Sequence, residues 1–499
     1  MRLRSIIGKR ILWTALPILL AVPLYFALRG TWMPREAGAC AKEAAEGLDN
    51  YYYALIFRPE ENELAVTLTL DFTNRTGEAL DYLVLRTWAG AYASEETSPA
   101  AAETLCDACY PDGFSAGGVA LEGAWWNGEI TPAGFTDAAS TVLTVLLPSP
   151  LAAGESGRLL LHCRLTVPEC AHRFGHAQGV WQFGNALPIL SVYENGAWRT
   201  DAYSPIGDPF VSDCANYTVT LLAPAGYQCA ASAPCGEEAL ADGRTLFTMR
   251  LYAARDFSFA LSDQWQTVTQ RQDGVTVTAC APTQEGAARA AKLACKALRV
   301  YAGLYGDYAW DSLTLCAVDF PFGGMEYPGL VFLGLPYFAE DLADTLELLV
   351  AHEVAHQWFY ALVGSDQYND PWQDEALSEY AMLRYARAVY GESAYRSLLV
   401  TRVDAPMRER IAQRVTPGSP IDRFDSLDVY SAVVYGRGAA FLLAVEEMTG
   451  KLDGFLRAYC DQFAFRRPTR AEFLAFLNGY CGEDLAPLMT DYLDTLMNY

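Results

Sequence analysis

Two of the chain's five histidines, His352 and His356, stand four residues apart in AHEVAHQWFY, with Glu353 directly after the first. In a helix, residues at i and i+4 lie on one face, one turn apart. Two imidazole nitrogens so placed reach one ion at about 2.0–2.1 Å, the zinc–nitrogen distance. Glu353 projects about 100° around the helix from His352, so it flanks the ion without ligating it. A carboxylate there can accept a proton from an attacking water. The HExxH spacing thus encodes two ligands and a base. A catalytic zinc also needs a third protein ligand and an open position. Glu375, in PWQDEALSEY, is the best candidate: eighteen residues separate it from His356, and the loop 364–371 lets a second helix turn back beside the first. The competing reading is a chance pair of core histidines. Leu348, Leu349, Ala351, Val354, Ala355 and Trp358 make the segment apolar nearly all round. Two buried imidazoles beside a buried carboxylate are costly without a partner, and a metal supplies one.

The elements that must hold these residues fall in the second half of the chain. EGAARAAKLACKALRVYAGLYG has apolar residues at helical spacing. DSLTLCAVDF reads as a buried strand, and GGMEYPGLVFLG follows with glycines that allow close approach. Helical patterns then dominate: DTLELLVAHEVAHQWFYALV, DEALSEYAMLRYARAVYG, VYSAVVYGRGAAFLLAVEEMTG, and two shorter helices around 469–478 and 485–497. The first half alternates instead. YYYALIFRPEENELAVTLTLDFTN predicts a hairpin turning at Pro59 to Glu63, and similar short strands recur between Gly, Pro, Asp and Asn clusters. The expected organisation is multidomain: a cytoplasmic tail and transmembrane helix (1–28), a linker (29–50), an antiparallel all-β domain (51–265) and an α-rich domain with a small sheet (266–499).

Composition agrees with a folded, acidic protein. Hydrophobic residues make up 52% of 499 and the formal net charge is −24, which argues against nucleic-acid partners. Arg2, Arg4, Lys9 and Arg10 precede an uncharged run from Ile11 to Leu28. As a helix that run is roughly 27 Å long, about the thickness of a bilayer core. We read it as an uncleaved single-pass anchor rather than a signal peptide, with the N-terminus cytoplasmic and everything after Arg29 outside. Among thirteen cysteines, Cys106 and Cys109 form a lone CxxC that reads as a local disulfide or loop cysteines; Cys163 with Cys170 and Cys229 with Cys235 are close enough for short bridges; Cys295 and Cys316 read as core. Asn74 and Asn216 begin N-x-T triplets, which carry little weight.

Three segments together resemble the aminopeptidase N and leukotriene hydrolase family of gluzincin zinc peptidases. They are the zinc signature His352, Glu353, His356 and Glu375 with Trp358; GGMEYP, similar to the family's G-x-M-E-N motif; and VYSAVVYGRGAAFLL, similar to its segment with two tyrosines five apart. The resemblance covers most of 51–499 and implies a β-rich domain before a thermolysin-like α+β catalytic domain, one Zn2+, and peptide substrates. It implies that Glu326 holds the substrate's free α-amine, with Gly323, Gly324 and Met325 forming the edge along which substrate lies. It also implies that Tyr435 stabilises the oxyanion, with Tyr430 nearby. Glu379, one turn after Glu375, either orients a histidine ligand or lies on a solvated face. Tyr327 replaces the family's usual Asn and Ala376 its usual Gly, and both changes could reshape the pocket. Gln182 or Asn185 could replace the family's glutamine-bearing amine-binding segment. The function so implied is a membrane-anchored zinc aminopeptidase. The rivals are a catalytically silent zinc-binding module and another hydrolase, an endopeptidase or epoxide hydrolase, on the same site.

Overall fold

In the N-terminal half, burial follows the alternation of the sequence. The computed structural model describes residues 38–102 and 105–496, so the proposed anchor lies outside the described residues. The expected hairpin forms: Asn50–Arg58 pairs antiparallel with Glu63–Thr73, and Asn62 closes the turn in a left-handed conformation (φ 50°). Tyr51, Tyr53, Leu55 and Phe57 are buried on one strand and Leu64, Val66, Leu68 and Leu70 on the other. These strands sit in the middle of an eight-stranded sheet ordered Gly236–Ala239, Arg244–Ala254, Ala215–Pro224, Asn50–Arg58, Glu63–Thr73, Ser156–Thr166, Gly118–Trp126 and Glu129–Ile130.

The expectation of an antiparallel domain needs one correction. Asn50–Arg58 runs parallel to Ala215–Pro224, from Asn50↔Asn216 to Ile56↔Leu222. Parallel neighbours need a long crossover, and here the intervening chain supplies it, building the whole of one four-stranded sheet and two strands of another on the way. The pairing joins segments over 150 residues apart, so strand periodicity alone could not reveal it. Within the expected linker, Ala39–Ala44 is a helix with Ala41 fully buried, in keeping with the helix propensity of its alanines, lysine and glutamate. Cys106–Cys109 is a single helical turn, and all thirteen cysteines are free thiols. Asn74 and Asn216 are buried, and Asn74 Nδ2 donates to the Glu78 and Leu151 carbonyls; neither side chain is presented as a surface glycan acceptor.

The second half is built on a five-stranded sheet ordered Gln266–Gln272, Val275–Ala281, Ser312–Val318, Leu330–Gly334 and Gly324–Met325. Every residue of Ser312–Val318 is buried, as its apolar run predicts. The helix Gln284–Tyr305 begins at Thr283, whose side chain accepts from the Gly286 N–H. Gly324–Met325 is the edge strand, antiparallel to Leu330–Gly334, so one side of its backbone is unpaired within the sheet.

The histidine helix is shorter than its pattern predicts. It runs Ala343–Ala355, and His356 is its C-cap. The stop comes from tertiary contacts. Tyr360 adopts φ 153°, its carbonyl accepts from Arg255 Nε at 2.7 Å, and its hydroxyl donates to Asp256 Oδ2 at 3.1 Å. These bonds turn the chain so that Trp372–Tyr390, the glutamate helix, packs back against the histidine helix. The third helical pattern is interrupted: Ser431–Arg437 is π-helical between Leu427–Tyr430 and Gly438–Thr449. Such bulges often mark functional sites, and this one contains Tyr435.

Candidate active site

His352 Nε2 and His356 Nε2 are 3.1 Å apart, and each lies 3.3 Å from Glu375 Oε2. The corners of a tetrahedron around an ion at about 2.0–2.1 Å are separated by about 3.4 Å. The three atoms are therefore spaced as three corners of one zinc's coordination shell would be, with a fourth corner left over. The glutamate helix delivers Glu375 in its first turn, where the helix dipole favours a carboxylate.

Outer partners fix each ligand. His356 Nδ1 bonds Asp374 Oδ1 at 2.6 Å, and Asp374 in turn accepts from Gln367. His352 Nδ1 is 3.3 Å from Glu379 Oε2, an ion-pair distance without hydrogen-bond alignment. Glu379 is fully buried and held by both Arg402 Nε (2.7 Å) and Arg402 Nη2 (2.8 Å). It therefore faces His352 and does not lie on a solvated face. Burial works to raise the pKa of these carboxylates, but His352 and Arg402 hold Glu379 at about 2. The two histidines likewise hold Glu375 well below the usual carboxylate range. Burial lowers His352, yet Glu375 and Glu379 outweigh it and raise its pKa to about 9. The local field thus favours positive charge at the imidazoles, which is where a divalent cation would sit.

Glu353 is buried, and burial raises its carboxyl to about 7, with His352 and His356 opposing. A proton acceptor near neutrality suits general acid–base work. Gly324 makes room for it: a Cβ there would come within 2.5 Å of Glu353 Cδ. Gly323 has φ +102°, in the region that favours glycine. Ligand-capable atoms of Glu326, Glu353 and His356 lie within 4.8 Å of one another. Glu326 is 3% exposed, and its Oε1 has no hydrogen-bond partner among the described residues. A buried carboxylate oxygen left unpaired is costly unless a cation meets it.

The half-buried Tyr435 stacks over the His352 ring, with centroids 5.4 Å apart and planes at 21°. Burial, then Glu375, pushes its phenol above the ordinary value, so it stays a neutral donor. Tyr430 is buried edge-on against Tyr435 at 5.8 Å and abuts Gly207 of the N-terminal half. The two departures from the family pattern are absorbed by packing. A Cβ on Gly184 would collide with the Tyr327 hydroxyl, and one on Gly438 would lie 2.7 Å from Ala376 Cβ. Gln182 and Asn185 donate to the Asp319 carbonyl (3.2 Å) and to Asp256 Oδ2 (2.9 Å), not to Glu326.

Sequence reasoning passed over several neighbours. Asp374 had a signal, an acid directly before the third ligand. Arg402, Arg173 and Asp208 had none, because they arrive from distant segments. Arg173 Nη2 pairs with Asp208 Oδ1 at 2.7 Å, and Arg173 Nε points at Met325 Sδ at 3.3 Å. The N-terminal half thereby braces the strand that carries Glu326.

Residues 289–492 match the peptidase family M1 domain. Aminopeptidase B of Rattus norvegicus is 31% identical over 199 residues, 36% of this chain and 29% of that protein. Leukotriene A-4 hydrolase of Xenopus laevis is 29% identical over 197 residues, 37% of this chain and 32% of that protein. These matches span about a third or less of the relatives' own length. Similarity of fold extends further. An M1 zinc metallopeptidase from Deinococcus radiodurans superposes with a TM-score of 0.66 at 20% identity, covering 91% of this chain and 94% of that one. A variant of it bound to a Tyr-Ser-Ala substrate gives 0.66 at 21% identity, covering 90% and 95%. The fold is thus similar to that of this M1 zinc metallopeptidase, with an N-terminal β domain and a C-terminal helical region.

Proposed function

We propose that this chain, whose residues 289–492 match the peptidase family M1 domain, is a zinc aminopeptidase that removes N-terminal residues from peptides. One observation carries the reading: beside the three-cornered ligand set lies a buried carboxylate, Glu326, with an oxygen that no group among the described residues satisfies. A substrate's α-ammonium supplies the missing partner and sets the first peptide bond at the metal. His352, His356 and Glu375 would hold the zinc, which when bound would supply Lewis-acid polarisation of the scissile carbonyl and a lowered pKa for water. Glu353 accepts the proton of the attacking water and returns it to the leaving amine. Tyr435 donates its hydroxyl hydrogen to the developing oxyanion. Asp374 and Glu379 keep the imidazoles turned to the ion, and Gly323 and Gly324 leave room for substrate along the edge strand.

We further propose a single-pass membrane anchor with the catalytic half outside the cytoplasm. The cationic MRLRSIIGKR before the uncharged Ile11–Leu28 run supports it.

The test compares one peptide with a free and with an acetylated N-terminus. Cleavage of the first bond in the free form only, with Glu326→Gln raising KM for it, is the expected result. Cleavage of both forms at internal bonds would make the protein an endopeptidase. Stoichiometric zinc without cleavage of either would make it a binding module.

A further inference from the structure

Two cysteines six residues apart flank the turn between strands Gln228–Ala231 and Gly236–Ala239: Cys229 in the first strand and Cys235 just before the second. Their backbone is held on one side. Cys229 lies in the four-stranded sheet, opposite Leu261. The Ser232 N–H donates to the Ser258 carbonyl at 3.0 Å, and Ser232 Oγ accepts from the Ser258 N–H at 3.1 Å. The turn so fixed folds Cys235 back onto Cys229. Cys235 Sγ lies 3.4 Å from the Cys229 carbonyl oxygen and 3.8 Å from that of Ala233. The Cys235 thiol thus lies against the Cys229 backbone. Both residues are partly exposed, so a small oxidant can reach them.

We propose that Cys229 and Cys235 form a closable dithiol, a modification site for small disulfide oxidants that clips the 229–235 turn. The Cys235 thiolate attacks one sulfur of the oxidant disulfide and releases the first thiolate. The Cys229 thiolate then attacks Cys235 Sγ and expels the second. Two protons and two electrons pass from the two cysteines to the oxidant, which leaves as two thiols. Closing the bond requires the two side chains to rotate until their sulfurs lie about 2.05 Å apart.

The clip has a bearing on the catalytic half. A Cβ on Gly329 would collide with the Ser232 carbonyl, so the turn presses on the end of the segment that carries Glu326. Gly329 N–H donates to Gln357 Oε1 at 2.9 Å, and Gln357 Nε2 donates to the Tyr327 carbonyl at 3.1 Å. Closing the turn fixes one wall against which this segment packs. Cys280 is the competing thiol. It is 4% exposed, on strand Val275–Ala281, with Sγ 3.6 Å from Thr267 Oγ1.

The experiment equilibrates the purified, zinc-loaded full-length protein with a glutathione disulfide and glutathione mixture, then maps unreduced peptides by mass. The expected result is a loss of about 2 Da within the single peptide holding both cysteines, and a Tm higher by on the order of 2 °C for closing so short a loop in a chain of this size. Cys229→Ser and Cys235→Ser each abolish both changes, and Cys229→Ser retains only a mixed disulfide on Cys235. The proposal is overturned if wild-type protein keeps both thiols, if the bridge maps to Cys280, or if glutathione stays on Cys235 unresolved. Mapping wild-type protein decides this even where a variant folds poorly.

Discussion

Glu353 carries the proton traffic in this account, and its position is narrow. It is buried, pushed by that burial to about 7, and packed against a glycine that admits no side chain. Glu353→Gln keeps the shape and removes the base. It should retain zinc and lose roughly 10²–10⁴-fold in kcat, the scale of general acid–base catalysis. Zinc lost together with activity would make Glu353 a structural residue. Tyr435 acts only where charge develops, so Tyr435→Phe should lower kcat by roughly 10²–10³-fold with little change in KM. Turnover near wild type would remove Tyr435 from the mechanism. Glu353 was marked by the HExxH spacing itself, whereas Tyr435 was marked only by the resemblance of its segment to the family's paired tyrosines. Asp208 and Arg173 were not, since nothing near them in sequence marks a site.

At the scale of elements, the metal centre is two helix segments meeting end to side. The histidine helix stops at Ala355 with His356 as its cap, and the glutamate helix starts at Trp372 with Asp374 and Glu375 in its first turn. Asp374 links the two through His356 Nδ1. Partners of this kind set ligand orientation, and their loss typically costs about 10–100-fold in metal affinity. Asp374→Asn should therefore release zinc to a competing chelator at correspondingly lower concentration. Unchanged affinity would show that the Phe359 carbonyl, 3.2 Å from the same nitrogen, orients His356 alone. The sequence marked both helices, but it overran the end of the first by several residues. AHEVAHQWFYALV keeps its apolar, helix-like pattern through Val363, and only Arg255 and Asp256, about a hundred residues away, turn Tyr360 out of it. Helix interiors are written in periodicity, whereas this stop is written in tertiary hydrogen bonds.

The whole molecule is joined at Arg255. Its guanidinium is buried at the end of strand Arg244–Ala254 and donates to three carbonyls: Tyr360 at 2.7 Å, Ser212 at 3.0 Å and Arg466 at 2.6 Å. One comes from the N-terminal half and two from the catalytic half. Arg255→Met would leave all three acceptors without their donor, at a cost of about 3 kcal/mol or more. A Tm lower by several degrees should follow, and an unchanged Tm would mean that water replaces the side chain. The broad division into a strand-rich and a helix-rich half could be read from the change of period near residue 284. The parallel strand pair and the Arg255 junction could not, because each joins segments far apart in the chain.

The most direct test of the zinc aminopeptidase reading is release of fluorophore from a panel of aminoacyl amides by the purified protein, titrated with a zinc chelator and then with zinc. The account predicts release that falls as the chelator rises and returns with stoichiometric Zn2+, at rates that differ across the panel. Release indifferent to the chelator, or none from any amide while one zinc per chain remains bound, would contradict it.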